Sequence, residues 1–288
     1  MAKLRVSAGL NLHAFPKDDI FAYIRQGLLF HKSIGLDAAD FSANSLLQLM
    51  GEDITGGIEK TKEIANEVGI AFELCHLPFG LTQNSTEEKV EIFNARVHEA
   101  IDAMALLGVN YAVVHPNVTT ERRIEFDRKM RYDYVMAHLS PFAEHANRVG
   151  LNLVVENMRV GYQFPYAIHR YCGEPDELCE IADSLGVGIC WDTGHANING
   201  LKQSEALRYV GKRLKMLHIN DNFGEDDIHL APFMGKVDWA DTMQGLAAIG
   251  YQGLLNYEVR VPGTTPALRK AYGDYLYNAA QDLMDLMG

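Results

Sequence analysis

The sequence predicts an eight-stranded α/β barrel, and three observations carry that expectation. First, a triplet of an apolar residue, a glycine and another apolar residue recurs at Ile34-Gly35-Leu36, Val68-Gly69-Ile70, Leu107-Gly108-Val109, Val149-Gly150-Leu151, Leu185-Gly186-Val187 and Ile249-Gly250-Tyr251. Each follows a segment with helical apolar spacing, so its glycine suits the position just past a helix end, where a positive φ turns the chain into a strand. Second, eight short apolar or β-branched runs begin about 30 to 40 residues apart, leaving room for one crossover helix in each gap. Third, the length of 288 residues lies near the ~250 typical of such barrels.

The runs are justified in turn. Residues 4–12 lead into His13, which is placed to line a pocket. Residues 36–41 form the second strand. The third, 71–77, carries Cys75-His76-Leu77 ahead of Pro78, and the fourth, 111–115, ends on His115 ahead of Pro116. The fifth, 152–157, ends in Val155-Glu156-Asn157, and the sixth, 187–192, ends in Cys190-Trp191-Asp192 and continues into Thr193-Gly194-His195. The seventh, 216–220, contains His218 and Asn220, with Asp221 next, and the eighth, 254–258, ends in Asn256-Tyr257-Glu258. No GxGxxG fingerprint follows any run, which counts against a doubly wound sheet. No linker-like stretch or break in composition divides residues 1–288, so one domain is expected.

With 48% hydrophobic residues the chain can bury a full core without disulfide or metal staples. Thirty-eight acidic against 26 basic residues leave a net charge of −12, which argues against a broad basic face for nucleic acid or an anionic membrane. No stretch is long and apolar enough to span a bilayer, and the opening MAKLRVSAGLNLHAF lacks an apolar signal region, so a cytoplasmic protein is expected. Cys75, Cys172, Cys179 and Cys190 are scattered and read as reduced packing residues.

Chemistry on such a barrel sits at the C-terminal strand ends, and six consecutive strands here finish on a histidine or carboxylate. Because side chains alternate, Glu156 shares its face with Val154, Asp192 with Cys190, His218 with Met216 and Glu258 with Asn256, which places the lower residues in a layer beneath the polar groups. Four such groups meeting at one mouth would repel or stay unpaired without a cation. Oxygen and imidazole donors suit Mn²⁺, Zn²⁺, Co²⁺ or Mg²⁺. A lone strand-end histidine such as His76 or His115 is more often structural, and His31, His98, His138, His145 and His169 read as surface or packing residues. No lysine ends a strand, which argues against Schiff-base chemistry, and neither a GxSxG elbow nor a P-loop is present.

Several of these motifs resemble the xylose isomerase-like superfamily of barrels, specifically its sugar isomerase/epimerase branch, which shares a scaffold with endonuclease IV. They are Val155-Glu156-Asn157, Trp191-Asp192-Thr193-Gly194-His195, residues 218–221, Asp227-Ile228-His229-Leu230-Ala231-Pro232 with Gly235-Lys236-Val237-Asp238-Trp239, and Tyr257-Glu258-Val259. The resemblance runs from the third strand to the eighth. It implies a (β/α)8 TIM barrel holding one divalent ion, most often manganese, on Glu156, Asp192, His218 and Glu258, with His195 contacting the substrate. It further implies a small-molecule sugar as partner and a homodimer or homotetramer. His76, His115, His229 and Arg260 are expected to face the substrate. Glu156 and Glu258 would move the proton of a C–H beside a carbonyl, giving epimerisation across two faces or isomerisation between two carbons.

One departure stands out: several ketose 3-epimerases carry an arginine six residues after the metal-binding histidine, and this chain has Gly224 there. Phe15, Phe79, Tyr162, Phe164 and Phe223 are candidate pocket walls. The rival expectation is a zinc phosphodiesterase like endonuclease IV, whose nine ligands have counterparts in His76, His115, Glu156, Asp192, His195, His218, Asp227, His229 and Glu258. Against it, the active-face loops lack a cluster of basic and aromatic residues to hold bent DNA. A barrel that binds a ligand without turnover is the third alternative.

Overall fold

In the computed structural model, residues 3–81, 85–116, 127–159, 161–163, 166–168 and 170–288 are described. Five strands come first, β1 (Arg5–Gly9), β2 (Ala38–Ser42), β3 (Phe72–His76), β4 (Tyr111–Val114) and β5 (Asn152–Glu156). A short antiparallel hairpin of β6 (Gly161–Gln163) and β7 (Tyr166–Ile168) interrupts the series. The barrel resumes with β8 (Gly188–Asp192), β9 (Leu214–His218) and β10 (Leu254–Tyr257). The eight barrel strands pair in parallel in the order β10-β1-β2-β3-β4-β5-β8-β9. The ring is nearly closed by Ile219, whose N–H donates to the Asn256 carbonyl at 2.8 Å and whose carbonyl accepts from the Glu258 N–H at 3.1 Å.

The expected eight strands are all present; the second begins two residues later, at Ala38–Ser42, the seventh lies two residues earlier, at Leu214–His218, and two larger differences stand out. The first run is shorter than its apolar pattern suggests: β1 stops at Gly9, and Leu10–Leu12 forms a 3₁₀ turn that still buries both leucines. The hairpin was not anticipated, since each of its strands is only three residues long and leaves no periodic signature. All six triplet glycines have positive φ, between 67° and 88°. At the helix starts, Asp53, Thr86, Asp127, Asp238 and Thr265 each accept a backbone N–H with the side chain, satisfying donors that the helix leaves unpaired.

Alternation divides the core into two. Ala38, Leu74, Val113, Val154, Cys190, Met216 and Leu254 fill the barrel interior, while Phe41, Cys75, Ile101, Val155, Trp191 and Leu217 pack between the sheet and the helices. Val154, Cys190 and Met216 thus lie two residues below Glu156, Asp192 and His218, as a period of two requires. The four cysteines are free and buried. His31 is buried against the carbonyls of Gly27 and Ala8. His98 and His145 bond to one another across the helices Glu87–Leu107 and Arg128–Val149, and His98 and His138 pack on Phe142. His169 lies outside the described residues. No described helix is long and apolar enough to cross a membrane.

The interior plug supports the mouth from below, so thinning it should be costly. Met216→Ala is expected to lower unfolding stability by about 2–5 kcal/mol, measured by denaturant titration.

Candidate metal centre

Glu156 ends β5, Asp192 ends β8, His218 ends β9 and Glu258 follows β10. One ligand atom from each lies within 4.8 Å of the others. The His218 Nδ1 is 3.1 Å from Glu156 Oε1 and 3.0 Å from Glu258 Oε2. A single ring nitrogen cannot satisfy both carboxylates with one hydrogen, whereas a divalent cation accepts electron pairs from all of them. The residues present therefore fit such an ion: hard oxygen donors with one imidazole, and no thiolate. Burial pushes the Cys190 thiol beneath the site up to about 12, which disfavours its thiolate.

The electrostatics follow from burial and crowding. Burial alone would raise the Glu156 carboxyl, but His218 and His115 outweigh it and hold this group well below the usual range. Glu258, likewise opposed by burial, is brought down to about 2 mainly by His218. Asp192 is fully buried and is pushed up to about 6 by that burial, with Glu156 adding to the effect. Burial disfavours charge on His218, yet Cys190, Glu258 and Glu156 raise it well above its ordinary value.

Neighbouring groups hold these side chains in place. The Asn157 side chain accepts from the Asp192 N–H at 2.6 Å and donates to the Asp192 carbonyl at 3.0 Å. Asn220 Nδ2 donates to Asp192 Oδ2 at 2.7 Å, while Asp192 Oδ1 caps the next helix at the His195 N–H. Gly194 is needed here because a Cβ would sit 1.9 Å from Asn220 Oδ1. Asp221 accepts from the N–H groups of Gly235 and Val237 and from the Trp239 indole, which gives the run 235–239 a structural meaning.

The remaining candidates gather around this centre. His115 Nε2 lies 3.0 Å from Glu156 Oε2 and 3.0 Å from His76 Nε2, so His76, His115 and Glu156 make a second cluster of potential ligands. Burial, with His115 adding, lowers His76 to about 4 and keeps it neutral. Asp227 bridges His195 at 3.3 Å and His229 at 3.1 Å, and these histidines hold its carboxyl far below the usual range against burial. His229 takes a left-handed conformation, φ 51°, a costly geometry for a non-glycine residue, with its Nδ1 2.9 Å from the Glu258 carbonyl.

A cavity of about 650 Å³ opens beside the cluster and is lined by His76, Phe79, Asp227, His229, Glu258 and Arg260 among others. Of the five candidate aromatics, Phe79 lines it, 4.7 Å from the His76 ring; Tyr162 lies on the hairpin and Phe164 lies outside the described residues. His13 is a packing residue, buried against Tyr23. Gly224 brings no side chain to the site, and the guanidinium bound to Asp227, at 3.2 Å, is that of Arg159. Sequence reasoning missed Arg159, and it missed Asp40, a buried carboxyl on β2 that lines the same cavity. The face of Asp40 was readable, two residues after the interior Ala38.

Residues 29–278 match the family model described as xylose isomerase-like TIM barrel. An uncharacterized protein, y4fM, of Sinorhizobium fredii is 29% identical over 226 residues, which cover 75% of this chain and 68% of that protein. The D-psicose 3-epimerase of Enterocloster bolteae is 32% identical over 152 residues, 52% of this chain and 47% of that enzyme, so the match spans about half of it. Among solved structures, a D-tagatose 3-epimerase-like protein has a TM-score of 0.74 at 19% identity, with 98% of both chains covered, a likeness of fold.

The shifted groups set the pH dependence of metal uptake. Metal-free protein carries a proton on His218 at neutral pH and gains one on Asp192 below about 6, and a cation must displace them. Affinity for a divalent cation is therefore expected to fall as pH falls, by about tenfold per unit for each proton displaced. Calorimetric titrations in buffers of different ionisation heat should show proton release, and a pH-independent affinity would contradict it.

Proposed function

The chain belongs to the xylose isomerase-like TIM barrel family, and from that premise we propose that it is a divalent-metal-dependent sugar epimerase or isomerase. The observation that carries the proposal is the convergence of Glu156, Asp192, His218 and Glu258 at the barrel mouth beside a cavity of sugar size. The name of the Enterocloster relative, a D-psicose 3-epimerase, supports the same reading. We assign Glu156, Asp192, His218 and Glu258 as ligands of one ion, with Mn²⁺ favoured and Zn²⁺, Co²⁺ and Mg²⁺ compatible with the donors. When bound, such an ion supplies Lewis acidity to a carbonyl and stabilises an enediolate.

The chain's own groups supply the proton chemistry. Glu156 and Glu258 flank the same His218 nitrogen, and both are held ionised at neutral pH, the state a general base requires. Epimerisation across two faces requires one of the pair first to take up a proton from solvent: the ionised glutamate then removes the proton from a C–H beside the carbonyl and the protonated one delivers its own from the opposite face, so the net charge of the pair is unchanged. Positioned within the pair, Glu156 is braced by His115 while Glu258 opens onto the cavity. His195, His76, His115, His229 and Arg260 are assigned to binding sugar hydroxyls around it. Gly224 leaves out one guanidinium, a difference that bears on which sugar is accepted.

A second reading has its own observation. His76, His115 and Glu156 form a second ligand cluster, and Asp227 joins His195 with His229, so all nine counterparts of the endonuclease IV ligands stand at one mouth. Elemental analysis of protein purified without chelators separates the two: about one ion per chain supports the sugar enzyme, and two or three zinc ions support the phosphodiesterase. Glu156→Gln and Glu258→Gln are each expected to reduce proton–deuterium exchange on ketoses by about 100- to 10,000-fold. Retained exchange in both would overturn the assignment.

A further inference from the structure

Asp40 stands apart from the four proposed ligands yet lines the cavity they open onto. It lies on the interior face of β2, between Ala38 below and Ser42 above. The residue is only 9% exposed. Its Oδ2 accepts from Asn256 Nδ2 at 2.9 Å, and Asn256 Oδ1 accepts from the Ser7 hydroxyl at 2.8 Å. That relay fixes the orientation of the carboxyl. Its other oxygen, Oδ1, is shielded from solvent and has no hydrogen-bond partner among the described residues.

An unpartnered buried oxygen on a group held this firmly is costly to keep. Its surroundings say what would pair with it. Ser42 and Ser45 line the same wall, and the Ser45 hydroxyl donates to the Ser42 hydroxyl at 3.0 Å, leaving the Ser42 hydrogen available to a ligand. A carboxyl beside a free hydroxyl donor matches a polyhydroxylated chain, because a sugar hydroxyl both donates and accepts. The proposed ligands come from β5, β8, β9 and the end of β10, whereas this wall belongs to β2.

We propose that Asp40 is a specificity-determining residue that holds one substrate hydroxyl remote from the reacting carbon, an inference that rests on the sugar reading above. Substrates lacking that hydroxyl leave Oδ1 unpaired and are disfavoured. Neutral sugars with a free polyol end are favoured at this wall over sugars bearing an anionic group there.

The test is a chemical double-mutant cycle. Proton–deuterium exchange at C3 is measured in the Mn²⁺-loaded protein for D-fructose and its 4-, 5- and 6-deoxy analogues, with wild type, Asp40→Ala and Asp40→Asn. Metal content is measured alongside. One deoxy analogue should lose about 10- to 100-fold in kcat/KM on wild type, chiefly through KM, and that loss should shrink to less than about threefold on Asp40→Ala at unchanged metal content. Asp40→Asn keeps the bond to Asn256, and should reduce the discrimination in the same direction if the alanine variant does not fold. Equal losses on every analogue in both variants, or discrimination that survives both, would overturn the proposal. Absence of exchange by wild type on all the ketoses would instead overturn the sugar reading, and this inference with it.

Discussion

Three carboxylates crowded around one imidazole, with two of them almost wholly out of water, form the constraint to which the rest of the barrel mouth is fitted. Glu156 and Asp192 are 1% and 0% exposed, and burying an isolated carboxylate costs several kcal/mol or more. The chain meets this without lysine or arginine in the cluster. Imidazoles and amides take their place: His115 and His218 at Glu156, and the Asn220 side chain and the His195 backbone N–H at Asp192. These groups are weak enough as cation substitutes to yield to a metal ion, yet they fix each oxygen beforehand. Using imidazoles and amides rather than lysine or arginine around the acidic groups holds the metal-free mouth together while leaving its carboxylates open to a cation.

Most of this was legible because alternation and position on a strand are simple rules. The six triplet glycines announced the helix ends, and the residue two before each strand-end acid or histidine announced the interior layer. His76, His115, Asp227 and His229 also lie where chain position placed them, at or just beyond strand ends. A site assembled from strand ends can be read in one dimension, since each strand adds its terminal residue to the same rim.

What stayed hidden depends on contacts between segments distant in sequence. Asp40 sits inside Ala38-Ala39-Asp40-Phe41, where a buried acid looks like an exception in a strand rather than part of a site; its meaning comes from Asn256 and Ser7, more than 200 residues from one another. Arg159 follows the fifth strand without any pattern, and its ion pair with Asp227 comes from a segment 68 residues further along the chain. The run 235–239 carries part of the family resemblance, and it does so by anchoring to the carboxylate of Asp221 and shaping the loop. Distinctive motifs mark tight local geometry as readily as chemistry.

The weak join of the barrel acquires a different significance from its position. β9 and β10 are held, among the described residues, by the two backbone bonds at Ile219, and His218 and Glu258 sit immediately beside that join. Any ion gripped by these two side chains also spans the gap between the two edge strands of the sheet, fastening a 40-residue stretch of chain into a ring. Metal at this mouth would then act as a buckle on the barrel as well as a reagent, tying retention of the cofactor to the mechanical integrity of the fold.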